Sequence, residues 1–334
     1  MDKSMKAKLI SKIILHKLAK FTFVLGGVTV LTYIILSYSP IDPIRAYIGA
    51  DMLVVSEEQK EAIADYWGIN DSKWQQFFNW FSAIIQGDFG TSLLYRQDVL
   101  TIIKERFTAS LWLMGTAWVL SGIVGFTFGL LAGMKEGSWI DWIIKNYCYL
   151  IASTPAFWVG ILLVMCFSVW LPIFPVGLAA PIGMESENVT ILDRIYHLVL
   201  PVLTLTIVGV ANIALHTREK LIELLKSPYI RFARAQGLSG FRLIGNHAIR
   251  NISLPAISLH FASFGHLFGG AILAEQVFSY PGLGTTIVQA GLQSDVPLLL
   301  GIVIFSTIFV FLGNVLADIL YVIVDPRMRE SEAG

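Results

Sequence analysis

The sequence predicts an all-α protein that crosses a membrane six times, on three observations. Charged residues make up 14% of the 334, against about 25% in a soluble domain, too few to cover a soluble protein of this size. Apolar residues reach 55% before the 28 glycines are counted, which also excludes disorder. Six uncharged stretches are near the length a helix needs to cross the hydrocarbon core, roughly 20 residues. They are 21–38, 109–134, 146–171, 198–215, 252–274 and 296–317. Lysines precede the first, as in a signal peptide. Its apolar run is long for one, however, and no A-x-A-like site follows closely, so it is expected to stay as a helix.

The formal net charge is zero, with 24 basic and 24 acidic side chains. Sorted by the segments between spans, those charges separate. Segments 1–20, 135–145, 216–251 and 318–334 hold 17 basic and 9 acidic residues; 39–108, 172–197 and 275–295 hold 7 and 15. The two faces therefore carry +8 and −8. Basic segments stay cytoplasmic, so both termini are expected inside and 39–108 outside. The chain then divides into a cytoplasmic N-terminus with the first span (1–38), an extracellular helical region (39–108), a transmembrane core (109–317) containing a cytoplasmic loop (216–251), and a cytoplasmic tail (318–334).

In the extracellular region, Ser56 and Gln59 spell a capping box, and Gly68 would stop the helix they start. A second helix begins near Asp71 and ends at Gly87. Its Trp74, Phe77, Phe78, Phe81, Ile84 and Ile85 recur at helical spacing on one face. That face either packs on the other helices or lies among headgroups at the membrane interface. Packing is the expected use.

Signatures of bond chemistry are missing. There is no G-x-x-x-x-G-K-[ST] phosphate loop, no H-E-x-x-H and no G-x-S-x-G, so neither ATP binding by this chain nor catalysis is expected. Asp88-Phe89-Gly90 spells the kinase tripeptide without its companion motifs. Two cysteines exclude a disulfide scaffold and a cysteine-ligated zinc site. Cys148 and Cys166 lie on one presumed helix about 27 Å apart, as small buried hydrophobes. His260 and His266 sit in the fifth span, and about 600° of rotation points them to different faces, so no shared metal is expected. A neutral histidine bonded to a neighbouring helix is the ordinary state, with a place in a transport pathway as the alternative. No stretch contains Asp or Glu, which argues against a proton-driven carrier and for an external energy source.

The loop 216–251 is too polar to span and too long for a simple turn. Residues 221–225 continue the fourth helix until Ser227-Pro228 breaks it. Residues 229–236 read as a short helix stopped by Gly237. Ser239-Gly240 turns into another short helix over 241–250, and 251–255 leads into the fifth span. Helix, glycine turn and helix on a basic face suit docking into a groove of a soluble partner.

Residues 229–238 (YIRFARAQGL) resemble the coupling-loop signature of permeases in the peptide/nickel branch of ABC importers, which favours A-R-A-x-G. Arg231 stands where the general importer motif has Glu. Further resemblances run along the chain: 87–92 (GDFGTS) before the second span, 154–158 (TPAFW) in the third, and Leu200-Pro201 in the fourth. Residues 275–284 (EQVFSYPGLG) and 325–329 (DPRMR) complete the series.

The resemblance implies a type I ABC importer permease fold in a bacterial-type inner membrane. It implies a homologous second permease, two ATPase subunits that hold ATP and Mg, and an extracytoplasmic substrate-binding protein. It implies no cofactor in this chain and no nucleic-acid partner. Ala233, Ala235 and Gly237 would allow close approach to the ATPase groove, with Gln236, Leu238 and Ser239 completing the segment. Arg234 and Arg242 would be rim contacts. Asp88, Phe89, Gly90, Pro281, Gly282 and Gly284 would shape the external mouth and the binding-protein dock. His260 and His266 would be pathway candidates. Peptide is the expected cargo, with nickel or another metal chelate as the alternative. A stand-alone channel, an ion-coupled carrier or a membrane receptor are readings of another class.

Overall fold

The computed structural model describes residues 3–38, 56, 58–59, 61–62, 71–184 and 188–324. In chain order the helices are α1 (Lys3–Ser37), α2 (Lys73–Ile85), α3 (Val99–Met134), α4 (Trp139–Ala152) and α5 (Ala156–Val164). There follow α6 (Ile191–Leu225), α7 (Pro228–Ala235), α8 (Gly240–Leu243), α9 (Ile249–Ala262), α10 (Phe264–Val277), α11 (Leu283–Leu292) and α12 (Val296–Val324). Wide π turns extend α5 over Met165–Trp170 and join α8 to α9 over Ile244–Ala248. Residues 58–59 and 61–62 are also helical; the other described residues are loops, with one isolated bridge between Thr91 and Asp98.

Among the described residues, four helices are long and apolar enough to cross a membrane: α1 over Leu18–Ile35, α3, α6, and α12 over Val296–Ala317. Two bent pairs raise the number to as many as six. Here the structure corrects the sequence reading, because stretches 146–171 and 252–274 are not single helices. The first bends by 106° between α4 and α5, the second by 50° between α9 and α10. The cause of the larger bend is local. Pro155 has no N–H to continue the ladder and disfavours helical backbone at Thr154. The Ser153 and Thr154 hydroxyls donate to the carbonyls of Tyr149 and Leu150, at 2.8 and 2.7 Å, and so cap the broken end. At the second bend the Ser263 hydroxyl donates to the His260 carbonyl, 2.8 Å. The expected lead-in at 251–255 is also corrected: it lies inside α9, Pro255 included, so the second loop helix runs into the span without a stop.

The chain divides into two compact units, 1–109 with 282–311 and 110–281 with 312–334. In the first, Val99, Ile102, Ile103, Leu283, Leu298 and Ile302 form the core, with Phe89, Phe107 and Phe305 packed against it. Helix α2 starts at its Ser72 cap and rests on α1, where Phe77 meets Tyr33 at 4.9 Å and the Tyr33 hydroxyl donates to the Lys73 carbonyl, 2.6 Å. Packing accounts for only part of the face expected to be buried: Trp74, Phe78, Phe81 and Ile85 stay exposed. Both bonds of the Ser56–Gln59 capping box are present, at 3.1 and 3.2 Å. Gly68 and the 325–329 motif lie outside the described residues.

In the second unit, α4, α5, α9 and α10 all pack on α6. Helix α3 approaches α6 along Gly125, Gly129 and Gly133. A Cβ on Gly129 would sit 2.5 Å from Thr217 Cβ and 2.6 Å from the Ala214 carbonyl oxygen. On Gly125 it would lie 3.0 Å from the Val210 carbonyl, and on Gly133 2.9 Å from Leu221. Glycine every fourth residue keeps one helix face bare, so the backbones come into contact.

Gly129→Ala should therefore destabilise the protein by about 1–3 kcal/mol through overpacking against fixed backbone. Gly115→Ala, on the same helix with nothing within 4 Å, should change little. Thermal unfolding of the two variants in detergent reads the difference.

Candidate coupling surface and its supports

Helix α7 is a tightly terminated piece. Ser227 caps it, accepting from Ile230 N at 3.4 Å, and Pro228 opens it, where a missing N–H breaks no helical bond. At its end Gly237 takes φ +87°, which disfavours any side chain. Gly237 N then bonds Arg234 O at 2.9 Å and Leu238 N bonds Ala233 O at 3.2 Å, the paired bonds of a Schellman stop. Ile230, Ala233 and Leu243 are buried together, with Leu224, Leu225 and Leu238 against them. A second cluster of Leu221, Ile244, Ala248 and Ile252 fixes the π turn to α6. Tyr229 Oη and His247 Nδ1, 2.6 Å apart, tie α7 to the same turn.

What α7 shows to solvent follows from that core. Arg231, Phe232, Arg234, Ala235, Gln236 and Gly237 are exposed, as are Ser239 and Arg242. Ala233 is 3% exposed, which corrects its expected role. Its small side chain lets α7 approach Leu243, and Leu238 likewise turns inward. The prominent apolar side chain on the surface is Phe232, 67% exposed, a position that the A-R-A-x-G motif does not include. Burial at positions 230 and 233 defines the inner face, and on a helix that turns Phe232 outward.

Two ion pairs brace the base of this surface. Arg218 on α6 donates from Nε and Nη2 to the two carboxylate oxygens of Asp141 on α4, at 2.5 and 2.8 Å. Asp141 also accepts from Gly137 N at 2.9 Å, and its side chain is 2% exposed. Lys226 reaches Glu136 at 2.8 Å in an exposed pair. At the other end of α6, Tyr196 donates to the Ile173 carbonyl and His197 Nδ1 lies 2.8 Å from the Gly177 carbonyl.

The residues assigned to the external mouth separate into surface and support. Asp88 is exposed and accepts from Gly90 N at 2.8 Å, while Phe89 packs on the core of the first unit. Gly282 and Gly284 are buried, a correction to a docking role. Gly282 caps α11, where its carbonyl accepts from the Thr285 and Thr286 hydroxyls at 2.9 and 2.8 Å. Pro281 is half-buried. The GDFGTS loop is held by Asp295, 0% exposed, which accepts from Ser92 Oγ at 2.5 Å and Leu94 N at 2.9 Å. Asp295 also caps α12, accepting from Leu298 N at 3.2 Å. A Ser-Asp-x-Pro string at 294–297 carried that cap signal in the sequence.

The two histidines lie apart. His260 stacks on Trp118 with ring centres 4.3 Å apart and places Nε2 2.9 Å from the Trp118 carbonyl. His260 and Trp118 line a groove of about 350 Å³ with Gly122, Phe126, Ile213 and Ser253. His266 is exposed. Among the described residues no group of three or more His, Cys, Asp or Glu could hold a metal. Glu275, one residue past the uncharged stretch 252–274, lies in the last turn of α10, 1% exposed, and accepts from Ser110 Oγ at 2.5 Å.

Comparison with known proteins places this arrangement. Residues 125–330 match the family described as binding-protein-dependent transport system inner membrane component. The chain is 34% identical over 309 residues to the oligopeptide transport system permease protein AppB of Bacillus subtilis, covering 92% of this chain and 95% of that one. It is 32% identical to the dipeptide transport system permease protein DppB of Escherichia coli, covering 92% and 95%. Against the di/tripeptide transport system permease protein DppB of Pseudomonas aeruginosa it is 32% identical, covering 91% and 94%.

The Asp141–Arg218 pair yields a stability test. Arg218→Met alone strands a buried carboxylate and should cost about 3–5 kcal/mol. The double variant Asp141→Leu with Arg218→Met should be more stable than that single one, because no charge is left unpaired. Lys226→Ala should shift stability by about 0.5 kcal/mol or less, as an exposed pair does. Melting of the three purified variants and the unsubstituted protein in detergent orders them.

Proposed function

We propose a mechanism from one premise: the chain belongs to the family of binding-protein-dependent transport system inner membrane components. It is the permease subunit of a peptide-type ABC importer, a transport subunit and not an enzyme. Full-length similarity to permeases named for oligopeptides, dipeptides and di/tripeptides carries the peptide assignment. The working assembly pairs this chain with a second permease, sets two ATPase subunits beneath them, and receives cargo from a binding protein on the far side. ATP and Mg are bound by the ATPases.

Six crossings are supported by the way the bent third segment is anchored. It is held at Asp141 to Arg218 and at Ile173 to Tyr196. Those α6 positions are about 33 Å apart at the helical rise, the thickness of a hydrocarbon core. A segment held at both ends of α6 crosses despite its bend; it does not turn back. An even number of crossings places both termini on one side, and the basic excess of the segments on that side makes it cytoplasmic.

The exposed side of α7 from Arg231 to Gly237, with Ser239 and Arg242, then faces the ATPases. Phe232 supplies the apolar contact, and Arg231, Arg234 and Arg242 supply charged ones. When ATP binding draws the ATPases together, α7 is displaced. Its buried side, locked to α6 and to the π turn of α9, passes the displacement into those spans, and the Asp141–Arg218 bridge carries it into α4. The spans rock together because the links at their base are buried and short. Alternating access follows from that rocking.

Gly237 tests the contact. Its Cβ would meet nothing within 4 Å in this chain, so Gly237→Ala and Gly237→Trp impose similar backbone strain and differ in bulk offered to a partner. In proteoliposomes holding the complete importer, Gly237→Trp should cut ATP-driven uptake of labelled dipeptide about tenfold or more below Gly237→Ala, a loss of ~1.4 kcal/mol. Membrane insertion should be the same for both. Equal uptake by the two would remove α7 from the ATPase contact. Unlabelled peptide should compete for uptake and a nickel chelate should not; the reverse would overturn the cargo.

A further inference from the structure

Helix α2 has three sides, and only two are explained by protein and water. At about 100° per residue, Phe77, Trp80 and Ile84 fall on one side, half-buried toward the protein. Gln75, Asn79 and Ser82 fall on another, exposed and polar. Between them Trp74, Phe78, Phe81 and Ile85 form a continuous apolar stripe, 67%, 63%, 46% and 71% exposed. Four large apolar side chains in one stripe on a 13-residue helix are costly to leave in water.

The attachment of α2 gives its depth in the membrane. The apolar stretch of α1, Leu18–Ile35, is about 27 Å long, close to the hydrocarbon thickness, so Tyr33 to Tyr38 lie at its edge. Helix α2 is bonded to that edge. Tyr33 donates to the Lys73 carbonyl, and the Lys73 ammonium donates to the Ser37 carbonyl and sits 4.3 Å from the centre of the Tyr38 ring. Tyrosine, tryptophan and lysine are the side chains that settle at a bilayer boundary. The lipid-facing surface of α1, with Phe23, Leu31 and Ile35 exposed, leads up to the same level.

We propose that α2 lies in the bilayer surface, with Trp74, Phe78, Phe81 and Ile85 inserted among the lipids and Gln75, Asn79 and Ser82 turned to water. The occupant of the stripe is the lipid itself, not a second protein. Such a helix holds the outgoing end of α1 at a set depth and fixes where the chain leaves the membrane. The proposal rests on α1 spanning the bilayer, and the experiment separates the two.

Spin labels on single cysteines, with Cys148 and Cys166 replaced by Ala, would be read in the complete importer reconstituted in phosphatidylcholine–phosphatidylglycerol vesicles. Sites are Phe78→Cys and Ile85→Cys on the stripe, Asn79→Cys and Ser82→Cys on the polar side, and Leu31→Cys on α1. The stripe should collide with oxygen severalfold more than the polar side does, and with a water-soluble nickel chelate severalfold less. Should Phe78→Cys fail to assemble, Ile85→Cys reads the same stripe. If Leu31 reports lipid while the stripe is open to the nickel chelate, the helix is in water and the proposal falls. If the stripe is shielded from both reagents, a protein covers it and the proposal falls equally. If Leu31 does not report lipid, the spanning assignment of α1 fails first.

Discussion

The second unit depends on the backbone contact between α3 and α6. In a bilayer, apolar side chains gain nothing from leaving lipid for other apolar side chains, so helices associate through close packing and polar links. Gly125, Gly129 and Gly133 allow that packing by leaving α6 a bare strip, and Thr217 and the carbonyls of Val210 and Ala214 fill it. Because α4, α5, α9 and α10 also pack on α6, this contact sets the frame in which the other spans of the unit find their places. Three small residues do this work, and larger ones would force the helices apart by the width of a side chain.

The proposed coupling surface would use the same helix as its lever. A short helix that projects from a membrane protein can transmit force only if its far side is fixed. The Schellman stop at Gly237, the burial of Ile230 and Ala233, and the Tyr229–His247 contact provide that fixation. A motif composed of small residues and arginines therefore serves two ends. Ala233 faces inward and makes the module compact; Ala235, Gln236 and Gly237 face outward and, in the proposed role, would keep the approach open. The bidentate Asp141–Arg218 bridge extends the rigid body to α4. Its geometry requires a planar guanidinium, and lysine in that position could not engage both carboxylate oxygens in the same way.

The positions of the spans were legible as uncharged runs because the cost of charge in hydrocarbon leaves few exceptions. Glu275 stands one residue beyond the fifth run, and the hydroxyl of Ser110 supplies it with a buried partner that hydropathy cannot see. The breaks at 153–155 and at Ser263 were spelled locally by Thr-Pro and Ser, yet the size of each bend depends on what the following helix packs against. Asp141 and Arg218 are far apart in sequence and share no local pattern, so their pairing became visible only in three dimensions. The glycine spacing in α3 is present in the sequence, but each glycine by itself reads only as a weak helix residue. For α2, periodicity identified the apolar face correctly but treated it as one surface. Contact with Tyr33 divides it into a protein side and an exposed side.

The bends themselves follow from what a bilayer permits. A helix broken in hydrocarbon exposes carbonyls that have no water to bond, and each costs several kcal/mol unless something donates to it. Ser153, Thr154 and Ser263 donate from within one turn. At 153–154 two such hydroxyls stand where the helix ends, and the resemblance of 154–158 to a family motif acquires a physical meaning. Thr154 satisfies the helix that Pro155 interrupts. Once satisfied, a bend costs little to keep and needs no solvent to hold it, so it can stay as a fixed elbow while the helices on either side move. A permease that must alternate between two faces has use for elbows that do not depend on water entering the bilayer.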